Sequence, residues 1–96
     1  MIQQNFDAFK KLIGEKFYFF TDESLVWHVA GQIEEVTEHF VRLSNATYIA
    51  DAGRFDIFLK EGEIYEGIFI RDCYLNLNAV SNFCPLKDID LPVKIV

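Results

Sequence analysis

Long apolar runs are missing from this chain: the longest, Phe17 to Phe20, has four residues, against the ~20 that a membrane-spanning helix needs. Near the start, Gln3, Gln4, Asn5 and Asp7 stand where a signal peptide would be apolar, so a soluble, untargeted and therefore cytoplasmic chain is expected, with no membrane partner. Cysteine is scarce. Cys73 and Cys84 are the only two, too few for a disulfide framework and without the spacing of a Cys-x-x-Cys metal or redox motif. Free thiols in a reducing compartment fit best, with a single disulfide left open. Positive charge is also short: nine basic residues face fifteen acidic ones, for a formal net charge of −6, so the far field repels phosphate backbones and anionic membranes and any nucleic-acid contact must be local. Glycine-rich phosphate loops are absent, and Ser24, Ser44 and Ser81 lie in no motif that marks a nucleophile. No internal repeat or low-complexity segment is present.

What the chain has in excess is bulky apolar surface. Of 96 residues 51% are hydrophobic and 16% aromatic, with ten Phe, while a single domain of this size buries only about 60–65% of the surface its unfolded chain exposes. Residues 1–96 read as one domain whose surplus meets another subunit. A Phe-rich core in a monomer is the alternative.

Ile2, Phe6, Phe9 and Ile13 recur at helical spacing, with Asn5 as N-cap, Lys10 and Lys11 late and Gly14 at the stop, which predicts a short amphipathic helix. Glu15 to Phe20 predicts a first strand, ended by Thr21-Asp22-Glu23-Ser24. From Leu25 the odd positions Leu25, Trp27, Val29, Gly31 and Ile33 face one way and the even ones the other, as in a long half-buried strand. Gly31 in mid-strand points to a tight bend or a close approach of backbone. Thr37-Glu38-His39 reads as a hairpin turn before a third strand from Phe40 to about Ile49. Phe55, Phe58 and Leu59, with Lys60 late and Gly62 as stop, predict a short helix over 54–61, with Phe55 as its core anchor and Arg54 pairing with an acid. Ile68-Phe69-Ile70 is a lone strand signal. Tyr74 to Leu77 predicts a further strand, Asn78-Ala79 a tight turn, and Val80 to Cys84 a last strand ended by Pro85. The tail over 85–96 reads as irregular and as packing on a neighbour.

A helix followed by five short bent strands, with a helical insertion between strands three and four, resembles the mostly β, small-barrel Sm-like family, especially its small phage-type members. Gly31-Gln32-Ile33 stands where Sm proteins carry Gly-x-Leu, Leu43-Ser44-Asn45-Ala46 where they carry Leu-x-Asp-Ala, and Ala50-Asp51-Ala52-Gly53-Arg54-Phe55 is similar to the phage-type continuation. The resemblance spans roughly residues 5–84. It implies a homo-oligomeric ring of about five to eight copies, closed head to tail so that unpaired sheet edges satisfy each other. Tyr74, Leu75 and Leu77 on one edge and Val80 and Phe83 on the other are the expected interface residues. It also implies RNA at the inner rim, where an Asp, an aromatic residue and an Asn read a splayed base. Here that loop is the shorter Thr37-Glu38-His39-Phe40, with Thr37 in place of the Asp and no Asn. Ile70-Arg71-Asp72 matches two residues of the Ile-Arg-Gly that completes the pocket, but better strands result if Leu77-Asn78 falls there. His39, Phe40 and Asn78 are the candidate base contacts. A ring without RNA binding, made for protein interaction or assembly, is the rival reading, and a cytoplasmic location, that of the host cell if phage-encoded, goes with both.

Catalysis is not expected, and neither is a cofactor. His28 and His39 fall in different elements, and with Cys73 and Cys84 they do not have metal-site spacing. Glu34, Glu35 and Glu38 flank one turn and Glu61, Glu63 and Glu66 another, as solvated faces do. Asp88-Ile89-Asp90 lacks the glycine and spacing of a calcium loop.

Overall fold

The computed structural model describes residues 2–22 and 26–96; the expected turn at Glu23-Ser24 and the facing of Leu25 lie outside them, as does the side chain of Trp27. In order come α1 (Ile2–Lys10), β1 (Lys16–Asp22), β2 (Val26–Val36), β3 (Phe40–Asp51), α2 (Phe55–Glu61), β4 (Glu63–Ile64), β5 (Glu66–Asn76), β6 (Val80–Pro85) and β7 (Lys94–Ile95). Five strands form one bent, unclosed antiparallel sheet in the order β5-β3-β2-β1-β6. The N-terminal helix, the five bent strands and the helical insertion before the fourth of them are those expected. Asn5 is not the N-cap, since α1 already begins at Ile2.

Bending is written into the pairing. Register shifts interrupt β2 against β3 after Ala30 and after Ile33, and β3 against β5 between Leu43 and Ala46, and each such bulge turns the strand and increases its twist. At Gly31 a Cβ would lie 2.9 Å from Leu43 Cβ and 3.2 Å from the Ser44 carbonyl oxygen. Glycine is therefore required there by the closeness of β3, as its mid-strand position implies. In the β3·β5 bulge, Asn45 (φ 49°) and Arg71 (φ 64°) both adopt left-handed backbone. Asn tolerates this well, whereas Arg71 carries a cost of about 1–2 kcal/mol. This bulge explains a difference from expectation: Ile68–Ile70 and Tyr74–Asn76 are not separate strands but the two halves of β5, divided at Arg71.

Both faces of the sheet are covered. The concave face buries Phe17 and Phe19 of β1, Val29 and Ile33 of β2, and Val41 and Leu43 of β3 beneath Phe9 of α1, whose ring meets Phe19 and Phe83 edge-on at 5.6 and 4.7 Å. On the other face, Ala30 and Ile49 pack under Phe58 of α2, Ile64, Leu86, Ile89 and Val93. The even positions of β2 are thus not simply solvent-facing. Of α2 only Phe58 is buried; Phe55 is 45% exposed and is not the anchor expected of it. The helix stops at Gly62, whose left-handed φ of 70° lets its N–H reach the Phe58 carbonyl, and a Cβ there would strike Ile89 Cγ2.

The tail packs on its own subunit. Leu86, Ile89 and Val93 are buried, β7 pairs in parallel with β4, and the Lys16 ammonium donates to the Ile89 carbonyl at 2.7 Å. Part of the apolar surplus is therefore spent in a second intrachain layer.

Two substitutions test this packing by urea unfolding. Phe58→Ala should cost about 3–5 kcal/mol, since it empties the centre of the second layer. Thr47 is buried, and its hydroxyl has no hydrogen-bond partner; Thr47→Val should raise stability by about 1 kcal/mol by removing an unsatisfied polar group.

Candidate functional site

Two tight loops lie side by side at one rim of the sheet. In residues 37–39, between β2 and β3, the Thr37 hydroxyl accepts the N–H groups of His39 (3.2 Å) and Phe40 (3.1 Å), and Thr37 N–H donates to the Phe40 carbonyl at 2.9 Å. Such side-chain-to-backbone closure is why a Thr at this position makes a short turn. In residues 77–79, between β5 and β6, the Asn76 side chain accepts Asn78 N–H at 2.8 Å, and its carbonyl accepts Ala79 N–H at 3.0 Å. The loops are joined by Leu77 N–H donating to the His39 carbonyl at 3.0 Å, one step beyond the Phe40↔Asn76 pair.

The geometry thus brings His39 and Asn78 together on neighbouring loops, both exposed. Phe40 is half-buried and packs edge-to-face on Tyr74 at 5.1 Å, so its ring is already engaged. Arg71 sits in mid-strand opposite Ala46, away from this rim, and Leu77-Asn78 occupies the turn. Leu77 itself points inward, fully buried.

The surroundings are acidic. Glu34, Glu35, Glu38 and Asp72 are exposed on these loops and strands, and the nearby cation, Arg42, is held by Glu35 at 3.2 Å and approached by Asp72 at 3.9 Å. The hydrogen bond that Arg42 donates to Glu35 raises the Arg42 pKa, against partial desolvation and with the help of Tyr74 and the charges of Glu35 and Asp72. Its charge is permanent and already matched by its neighbours.

His28 lies near the start of β2, remote from His39 beyond its end. Its Nδ1 shares a 2.5 Å hydrogen bond with the Tyr18 hydroxyl, whose pKa is raised by burial and then by Cys84. Among the described residues no three His, Cys, Asp or Glu side chains gather where a metal ion could be held, and no described helix is long and apolar enough to cross a membrane.

Both sheet edges are open in the subunit, and the expected edge residues divide. Tyr74 is 62% and Phe83 43% exposed, but Leu75 and Leu77 are buried in their own core and offer an edge only their backbone. The expectation that their side chains face a partner is corrected by the inward turn of this end of β5. Val80 is half-buried against the core. Ile68 and Phe69, 61% and 47% exposed, were not among the expected edge residues; a wholly apolar triplet, Ile68-Phe69-Ile70, was the signal, since one pleated strand cannot turn all three toward one core.

No protein-family model matches the chain, and no curated protein matches its sequence. Among solved structures, the crystal structure of a heptameric archaeal Sm protein, discussed for its implications for the eukaryotic snRNP core, aligns with a TM-score of 0.58 over 82% of this chain and 96% of its own, at 12% identity. The likeness is one of fold, and the fold is Sm-like.

Burial pushes the Cys73 thiol up from 9.0 to about 11. The neutral thiol therefore contributes stability that is complete below pH 9 and is lost as the pH rises toward 11. Thermal melts at pH 8 and pH 10.5 should show a smaller alkaline drop in Cys73→Ala than in the native chain; equal drops would contradict the assignment.

Proposed function

We propose that the chain acts by binding rather than by catalysis, as a homo-oligomeric ring of Sm-like subunits in which β5 of one copy pairs with β6 of the next. The observation that carries this reading is the pair of open edges on one bent sheet, one bearing exposed Ile68, Phe69 and Tyr74 and the other Phe83. Edge-to-edge pairing satisfies the free N–H and C=O groups of both strands and covers the apolar side chains. The heptameric state of the archaeal Sm protein of like fold supports it, and the resemblance to Sm-like proteins implies about five to eight copies in a ring closed head to tail.

Within that ring the acidic setting of the rim and the engagement of Arg42 favour a protein-facing assembly role, in a phage-type protein working in the cytoplasm of its host. A specific observation favours a second role: His39 and Asn78 stand exposed on adjacent loops, where a stacking ring and an amide can meet an unpaired base.

At micromolar concentration, sedimentation should give a fixed multiple of 11.2 kDa; a monomer would remove the ring. Short uridine-rich and adenine-rich RNAs, titrated at two salt concentrations, separate the two roles. The protein-facing role predicts no binding even at low salt. Base-selective binding that survives moderate salt, and weakens at least about tenfold in His39→Ala or Asn78→Ala, would replace it with the RNA role.

A further inference from the structure

A cavity of about 310 Å³ opens where α1 ends and β6 finishes, with Leu12, Phe17, Pro85 and Leu86 among its lining and Glu15 and Lys87 beside them. It lies at the β6 edge of the sheet, because Pro85 closes that strand and pairs with Phe17. At the opposite edge, Ile68 is 61% exposed and follows the exposed Glu66 and the half-buried Gly67 at the start of β5.

We infer that this cavity is a socket for a second copy of the chain, filled by Ile68 of the neighbouring subunit. The inference rests on the edge-to-edge ring and adds its register. Neighbouring strands of this sheet are antiparallel throughout, and a sheet continued in that sense sets the end of β6 against the start of β5. That brings Pro85 and the cavity opposite Gly67–Phe69, and leaves Tyr74 at the far end, beside Val80.

The faces also agree. Ile68 pairs with Tyr48, which pairs with Val29 of the concave core, and residues directly opposite one another share a face. Phe83 belongs to the same face, since its ring packs on Phe9, Phe17 and Phe19. Ile68 of one copy therefore arrives on the side where the next copy exposes Phe83, Pro85 and the cavity. Charge agrees as well: Glu66 accompanies Ile68, and at the socket Lys16 and Lys87 outnumber Glu15. The concave core thus runs on from subunit to subunit, and the cavity is complete only when the neighbour is present.

Cross-linking reads the register directly. In a Cys73→Ala, Cys84→Ala background, Ile68→Cys combined with Lys87→Cys should give, with a short bismaleimide, a ladder of covalent multimers on a denaturing gel. Tyr74→Cys combined with Lys87→Cys should stay at the monomer band. Ile68→Asp, a change at an exposed position, should raise the dissociation concentration of the otherwise native oligomer at least about tenfold. A ladder from the Tyr74 pair instead of the Ile68 pair, or an Ile68→Asp oligomer as tight as the native one, would overturn the socket while leaving the ring standing. A native chain that is itself monomeric would overturn both.

Discussion

Strands β5 and β6 follow one another in sequence across the short turn 77–79, yet they end at opposite edges of the same sheet. Only a strongly bent sheet allows this, because the turn must cross from one edge to the other. The Leu77 N–H to His39 carbonyl bond and the buried Leu77 side chain fix where that crossing begins. Gly31, which admits β3 to near contact, and the bulges around Asn45 and Arg71 supply the curvature. The consequence is a subunit with two free edges, each a row of unpaired backbone groups of the kind that proteins pair or protect.

The distribution of apolar side chains follows from the same geometry. The concave face closes over a Phe-rich core capped by α1, while the other face needs its own cover, which α2, β4 and the tail provide through Phe58, Ile64, Leu86, Ile89 and Val93. These two layers take up much of the aromatic and aliphatic excess. What stays exposed includes Ile68, Phe69 and Tyr74 on one edge and Phe83 on the other, a placement that favours association along the sheet.

The strands of the sheet were legible where alternation and punctuation agreed. Phe17 and Phe19, Val29 and Ile33, and the break at Thr37-Glu38-His39 set out β1, β2 and the hairpin, and Gly62 marked the end of α2 to the residue. The continuity of β5 was not legible, because the left-handed Arg71 interrupts the period of two that marks a strand. Phe55 and Phe58 carry the same helical signal, and only the position of α2 over the sheet decides which is buried. The docking of the tail was hidden too, since Leu86, Ile89 and Val93 are spaced without a single period and their partners are distant in sequence. At the candidate site, pattern alone put Asn78-Ala79 in the turn and Leu77 still in the strand, and that His39 and Asn78 stand on touching loops depends on the curvature of the whole sheet.

The central claim is that both open edges are closed by neighbouring copies. Amide hydrogen exchange on the native protein tests it most directly, because free edges and paired edges differ in protection while the rest of the fold stays the same. The account predicts that the outward-pointing amides of Glu66–Asn76 and Val80–Cys84 exchange slowly at micromolar concentration and lose that protection on dilution, with β1, β2 and β3 unaffected. Edge amides that exchange freely at every concentration would contradict it.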